Sequence, residues 1–250
     1  TWREQRKTSR PTGRSARVLD TRLFHAVERE RRAVLGPHVR SHARQAAELF
    51  SSARFQRELA AVAERRRMPM EQVRVQAAAM LREIAARFRI ESIELLALIF
   101  ARVWNRIYDG IEVDREGLQR VVDAARQGSV ILLHSHKSHI DYIVMSQVFY
   151  DARLATPFIA AGRNLSFWPL GPLFRAAGAF FMRRRFEGDE LYVTVMRAYL
   201  RRLLLHGCHV EVFCEGTRSR TGKLLPPRIG LLGLIVEAAL GLRGRKIHVV

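Results

Sequence analysis

Val130-Ile131-Leu132-Leu133-His134-Ser135-His136-Lys137-Ser138-His139-Ile140-Asp141 is the stretch on which the fold turns. Four consecutive apolar residues, 130–133, are too few for a helix and read as a short buried strand. Titratable residues follow at once, and 140–149 then takes up helical spacing. A strand that ends in polar residues and runs into a helix is the building block of an α/β sheet, and ligands of such sheets gather at the strands' C-terminal ends.

Outward from that stretch the alternation continues. Apolar runs at 157–160, 179–182, 210–213 and 247–250 alternate with helical stretches near 166–176, 191–205 and 229–242, and another helix, 115–126, precedes the first strand. The expectation over 110–250 is an α/β domain, a mixed sheet layered with helices. Its last strand opens at 247–250, so the domain is expected to be cut at its C-terminus. Toward the N-terminus, 21–109 holds almost no glycine and only Pro37 and Pro69. Phe55, Leu59 and Val62, then Val73, Ala77, Met80, Leu81 and Ile84, recur at helical spacing and predict an all-α section of three or four helices. Residues 1–20 read as a basic disordered arm or linker, Arg-rich and carrying Pro11 and Gly13.

Composition narrows the function classes. Forty-three Lys and Arg against 24 Asp and Glu give a net charge of +19, a field that attracts nucleic acid, anionic lipid, phosphorylated substrates or an acidic carrier protein. A basic nucleic-acid-binding protein is therefore one reading. Against it, no aromatic-interleaved basic stripe occurs, and the key cations sit at strand ends beside His and Glu. Cys208 and Cys214 flank one apparent strand and read as free thiols in a reducing compartment. No run of about eighteen uncharged apolar residues occurs. The nearest candidates, 93–103 and 231–242, carry charges and read as buried or interfacial helices. The N-terminus shows neither an initiator Met nor the apolar core of a signal peptide.

Three segments carry chemistry. In the first, a strand-to-helix turn can fold His136 and Asp141 together, so that the carboxylate accepts from one ring nitrogen and leaves the other to act as a base. Helix capping, a metal site built from His134, His136, His139 and Asp141, or a phosphate contact compete with that reading. The second, Gly178-Ala179-Phe180-Phe181-Met182-Arg183-Arg184-Arg185, ends an apolar strand in three guanidinium forks suited to phosphate, or to a solvated strand end. The third, Phe213-Cys214-Glu215-Gly216-Thr217-Arg218-Ser219-Arg220-Thr221-Gly222-Lys223, runs a strand into a loop of glycine, hydroxyl and cationic residues. It is not a P-loop, because no Ser or Thr follows Lys223.

Together these segments resemble the glycerolipid acyltransferases. His136 to Asp141 is similar to their HxxxxD motif, 178–184 to GxFFIRR with Met182 in place of Ile, and 213–223 to FxEGTRSRTGK. Ala161-Gly162-Arg163-Asn164-Leu165, Trp168-Pro169, Gly171-Pro172 and Phe174-Arg175 resemble the branch that acylates glycerol 3-phosphate or dihydroxyacetone phosphate. Leu225-Pro226-Pro227-Arg228 extends the likeness, which covers roughly 128–250. A fourth family motif, a strand with a central proline, would begin where this chain stops.

The resemblance implies an acyltransferase with His136 as general base and Asp141 orienting its ring. It implies Arg183, Arg218 and also Arg184 and Arg220 on the acceptor's phosphate. Glu215 would contact a hydroxyl or anchor an arginine, and Gly216, Thr217 and Ser219 would line the substrate. No cofactor and no metal are expected. The implied donor is acyl-CoA or acyl carrier protein, the acceptor glycerol 3-phosphate at its sn-1 hydroxyl, with dihydroxyacetone phosphate as the alternative, and no nucleic-acid partner is expected. The expected location is peripheral, on an anionic membrane surface at its cytoplasmic face, the plasma membrane in a bacterium.

Overall fold

The structure, a computed structural model, describes residues 42–138, 140–186, 188–242 and 244–250. The arm expected at 1–20, the start of the helical section and His139 lie outside the described residues. Among the described residues four helices come first: α1 (His42–Phe50), α2 (Ala53–Arg66), α3 (Met70–Ile84) and α4 (Ile90–Ile107). The α/β region comes next as α5 (Arg115–Gln127), β1 (Ser129–His134), α6 (Asp141–Asp151), β2 (Phe158–Gly162), a 3-10 turn (Arg163–Leu165), α7 (Leu170–Ala176), β3 (Ala179–Met182), α8 (Glu190–Leu205), β4 (Val210–Phe213), α9 (Ile229–Leu240) and β5 (Ile247–Val249).

The strands form one sheet in the order β3-β2-β4-β1-β5. Each described pairing is parallel, with His134 opposite Phe213 and Leu132 opposite Glu211. The α/β class expected from the sequence is what forms, and the sheet anticipated as mixed is parallel at each of these pairings. The reason is that a helix-length crossover separates each strand from the next, and such connections return the chain in the same direction. The helix expected over 166–176 begins only at Leu170, because Pro169 lacks the amide a helix interior needs and fits only its start.

Strand alternation gives each face its own core. Ile131, Val210 and Val212 point to one side, where α8 buries Leu191, Tyr192, Val195, Met196, Tyr199 and Leu200. Phe55, Leu59 and Val62 of α2 and Val73, Ala77, Leu81 and Ile84 of α3 belong to that same cluster, so the N-terminal helices share a core with the sheet. Full burial of a side chain of this kind contributes about 1.5–3 kcal/mol. Val130 and Leu132 point the other way, onto Ala125 of α5 and Phe149 of α6. Polar contacts reinforce the first interface: Tyr199 accepts from the Ala86 amide at 3.1 Å, and Arg201 reaches Glu58 at 3.1 Å. Among the described residues no helix is long and apolar enough to cross a membrane.

Candidate functional site

Because the sheet is parallel, the loops leaving β1, β3 and β4 all emerge at one end, and the three chemistry-bearing segments meet there. After β1 the chain turns into α6, whose first residue is Asp141. One carboxylate oxygen, Oδ2, takes three donors: the Lys137 amide at 2.7 Å, the Ser138 amide at 2.9 Å and His136 Nδ1 at 3.0 Å. Burial opposes ionisation of Asp141, but the Ser138 amide, the His136 ring and the Lys137 amide outweigh it and hold the carboxyl below the usual range. With Nδ1 bonded to a carboxylate, the proton of a neutral ring sits on Nδ1 and Nε2 is the basic nitrogen. On its other side the His136 ring packs against Phe213, centroids 4.1 Å apart.

The loop after β4 is pinned to this turn, since the Ser219 amide donates to the His136 carbonyl at 2.7 Å. Gly216 sits at φ +62°, and a Cβ there would meet Cδ of Arg228 at 2.9 Å, so only glycine lets the Arg228 side chain lie across the loop. Glu215 and Ser219 turn inward. Both are nearly fully buried, and their side-chain oxygens have no hydrogen-bond partner among the described residues.

At the end of β3, Arg183 is clamped. Its Nε and Nη2 reach the two oxygens of Glu83 at 2.9 and 2.8 Å, and Nη1 reaches Asp189 at 3.0 Å. The guanidinium also lies over the Tyr192 ring, 4.4 Å from its centroid. The Glu83 hydrogen bonds raise the guanidinium's pKa, burial opposing, and the bond from Arg183 holds the Glu83 carboxyl below its ordinary range. Glu83 comes from α3, one hundred residues earlier, and nothing in the sequence pairs the two.

A cavity of about 730 Å³ opens in front of these loops, within the size range of ligand sites. His136, Arg183, Arg184, Gly216, Thr217, Arg218 and Arg220 all line it. Asp141, Glu215 and Ser219 are not part of the lining; Asp141 stands behind His136. Arg228, which sequence reading did not single out as a ligand, joins the wall. Among the described residues Arg184, Arg218, Arg220 and Arg228 pair with no carboxylate. An apolar part of the wall is made by Ile93, Leu96 and Phe100 of α4, Ile143 of α6, Phe174 of α7 and Leu231 of α9, while Ser146, Gln147 and Asn164 are polar lining residues. The part α4 plays in the cavity was not legible in the sequence, where 93–103 reads as a buried or interfacial helix.

The arrangement therefore offers a carboxylate-oriented imidazole, a set of uncompensated guanidiniums and an apolar chamber within one space. A protein-family model described as Acyltransferase matches residues 105–250, more than half of the chain.

Proposed function

The chain belongs to the acyltransferase family, that of the HxxxxD glycerolipid enzymes, and from that premise we propose that it is a glycerol-3-phosphate 1-O-acyltransferase using acyl-CoA or acyl carrier protein as donor. The observation that carries this reading is the placement of His136, bonded to Asp141 at 3.0 Å, on the same cavity as Arg184, Arg218, Arg220 and Arg228, which no described carboxylate neutralises.

The steps are set by those groups. The acceptor's phosphate rests among Arg218, Arg220 and Arg184, whose planar forks match phosphate oxygens, with the clamped Arg183 adding its field from the end of β3. Its hydroxyl then faces Nε2 of His136. As the oxygen attacks the thioester carbonyl, Nε2 takes the hydroxyl proton and Asp141 stabilises the imidazolium. The tetrahedral oxyanion collapses, the C–S bond breaks, and the departing thiolate recovers the proton from His136. Amides and hydroxyls at Gly216 and Thr217 lie on the wall where the oxyanion forms. Glu215, nearly fully buried and absent from the cavity lining, is given no part in these steps. The acyl chain occupies the apolar chamber between α4, α6 and α9.

Attachment to an anionic membrane surface from the cytoplasmic side is part of the proposal. Leu95, Leu98 and Ile99 of α4, next in sequence to cavity-lining residues, are exposed, as is Trp168 at 83%. Such side chains beside a lipid-product cavity suit a bilayer interface.

An assay with labelled acyl-CoA and acyl carrier protein, run in parallel on glycerol 3-phosphate, dihydroxyacetone phosphate and an unphosphorylated glycerol, tests the reading. Transfer to glycerol 3-phosphate at the highest kcat/KM is expected. Preference for dihydroxyacetone phosphate moves the assignment to that acceptor, and equal use of the unphosphorylated acceptor removes the phosphate role of the arginines.

A further inference from the structure

Glu211 sits in the middle of β4 and is fully buried. Its oxygens make no aligned hydrogen bond among the described residues, and Nε2 of His134, the last residue of β1, lies 2.9 Å from Oε1. Register places Glu211 opposite Leu132 and Phe213 opposite His134, so all four share one sheet face, that of α5 and α6. A carboxyl group in this position contributes no apolar packing that Val or Leu would not supply better, and the acyl-transfer steps make no use of it.

The neighbourhood of His134 gives the pair a task. The Phe213 ring touches two imidazoles, with centroids 4.5 Å from His134 and 4.1 Å from His136. Among the described residues the His136 ring is held by Asp141 at Nδ1 and by Phe213 against its face. Phe213 in turn touches the His134 ring, whose Nε2 meets Glu211. We propose that Glu211 and His134 form a buried proton-sharing pair that positions the His136 imidazole through Phe213. The inference rests on the acyl-transfer reading of the site and adds two positioning residues to it. Neither touches substrate. One proton shared between the two groups keeps the pair neutral as a unit, which a sheet interior requires. Burial raises the Glu211 carboxyl above its ordinary range while His134 opposes that rise, consistent with such sharing.

A double-mutant cycle tests it. Glu211→Gln keeps the shape and removes the acid; His134→Asn removes the Nε2 that meets it. Each is expected to lower kcat about tenfold with acceptor KM changed less than twofold, because base orientation counts in the transition state and not in acceptor binding. The double variant is expected to be no slower than the poorer single variant, and the two changes are expected to couple in unfolding by at least threefold in the equilibrium constant. Additive losses in kcat overturn the proposal, and so does a KM that rises in step with falling kcat. If Glu211→Gln fails to fold, His134→Asn, at a partly exposed strand end, still decides on the kcat and KM split. The unfolding cycle does not depend on turnover. An inactive parent chain with coupled unfolding therefore overturns the function of the site while leaving the pair itself demonstrated, and uncoupled unfolding with an active parent overturns the pair alone.

Discussion

Replacing Asp141 by Asn separates charge from geometry at this site, for a reason visible in its hydrogen bonds. All three donors, the amides of Lys137 and Ser138 and Nδ1 of His136, converge on one oxygen at 2.7, 2.9 and 3.0 Å. In Asp141→Asn an NH2 group at that position would oppose two backbone N–H groups, so the amide oxygen takes it and still accepts from Nδ1. The ring therefore keeps its tautomer and its aim, and only the negative charge is lost. Two unit charges 4 Å apart at an effective dielectric of about 20 attract by about 4 kcal/mol, and a hydrogen bond to a charged group exceeds a neutral one by roughly 1 kcal/mol. Partial solvent access at the site lowers the first figure, so about 2–4 kcal/mol of imidazolium stabilisation disappears and kcat falls about 30- to 1,000-fold. Asp141→Ala removes the orientation as well and falls further. Stability also responds. The folded-state pKa of Asp141 is depressed, so its contribution is fully present above the unfolded value and is lost as pH falls through the folded one. The denaturant-unfolding gap between parent and Asp141→Asn should be constant above about pH 5 and shrink below about pH 4. Steady-state kinetics at saturating acceptor and urea unfolding from pH 7 to 3 provide the measurements. A loss of less than threefold in kcat, or a stability gap that widens in acid, refutes the reasoning.

His136→Ala should abolish transfer while leaving the unfolding midpoint within a few degrees of the parent, and near-parent turnover would remove it from the base role. Arg218→Ala should raise acceptor KM by at least tenfold with a smaller change in kcat, and by more than Arg183→Ala does; initial rates against acceptor concentration decide the order. Arg183→Ala should instead show the larger loss of stability, about 1–2 kcal/mol in urea, because Glu83 loses both of its Arg183 hydrogen bonds and is left with Arg163 at 3.5 Å, while Asp189 loses one partner and retains Arg66. Burial pushes His209 down to about 4, and its Nδ1 accepts from the Val130 amide at 3.1 Å. Stability held above the ordinary His value of about 6.5 should therefore be lost on acidification, roughly 3 kcal/mol between pH 7 and 4. Most of that slope should be missing in His209→Asn.

Strands were legible because each is a short apolar run ending in polar residues, and four of the five begin and end within about a residue of where composition placed them. Local rules suffice for that, since a strand buried on both faces of a parallel sheet reads as a nearly continuous apolar run. The HxxxxD turn was legible for the same reason: His136 and Asp141 are five residues apart and the turn between them is local. Long-range pairings were not. Glu83 meets Arg183 across one hundred residues, and the segment leading into α4 is tied to the end of α7 by the Arg87 and Arg89 amides, which donate to the Arg175 and Ala176 carbonyls. Glu211 escaped notice because a single acid inside β4 reads as an outward-facing position of an alternating strand, and only the sheet's second layer of helices makes it buried.

The order β3-β2-β4-β1 also ranks the arginines. Neighbouring strands lie about 4.8 Å apart, so the ends of β4 and β1 are one spacing apart and those of β3 and β1 three spacings, roughly 14 Å. His136 leaves β1, and the loop carrying Arg218 and Arg220 leaves β4 and is hydrogen-bonded to the His136 carbonyl through the Ser219 amide. A three-carbon acceptor with its hydroxyl at His136 spans one such spacing comfortably and three only by way of a long side chain. Arg183 starts from the far strand, and three of its five N–H groups are committed to Glu83 and Asp189, which draw it toward α3. Its field still reaches the cavity, but its charge is already answered. The phosphate therefore falls first to Arg218 and Arg220, and Arg183 acts mainly as the post that fixes the end of β3 to the N-terminal helices. An acceptor KM more sensitive to Arg183→Ala than to Arg218→Ala would mean that the bound acceptor stretches across the sheet toward β3, and the spacing argument would fail.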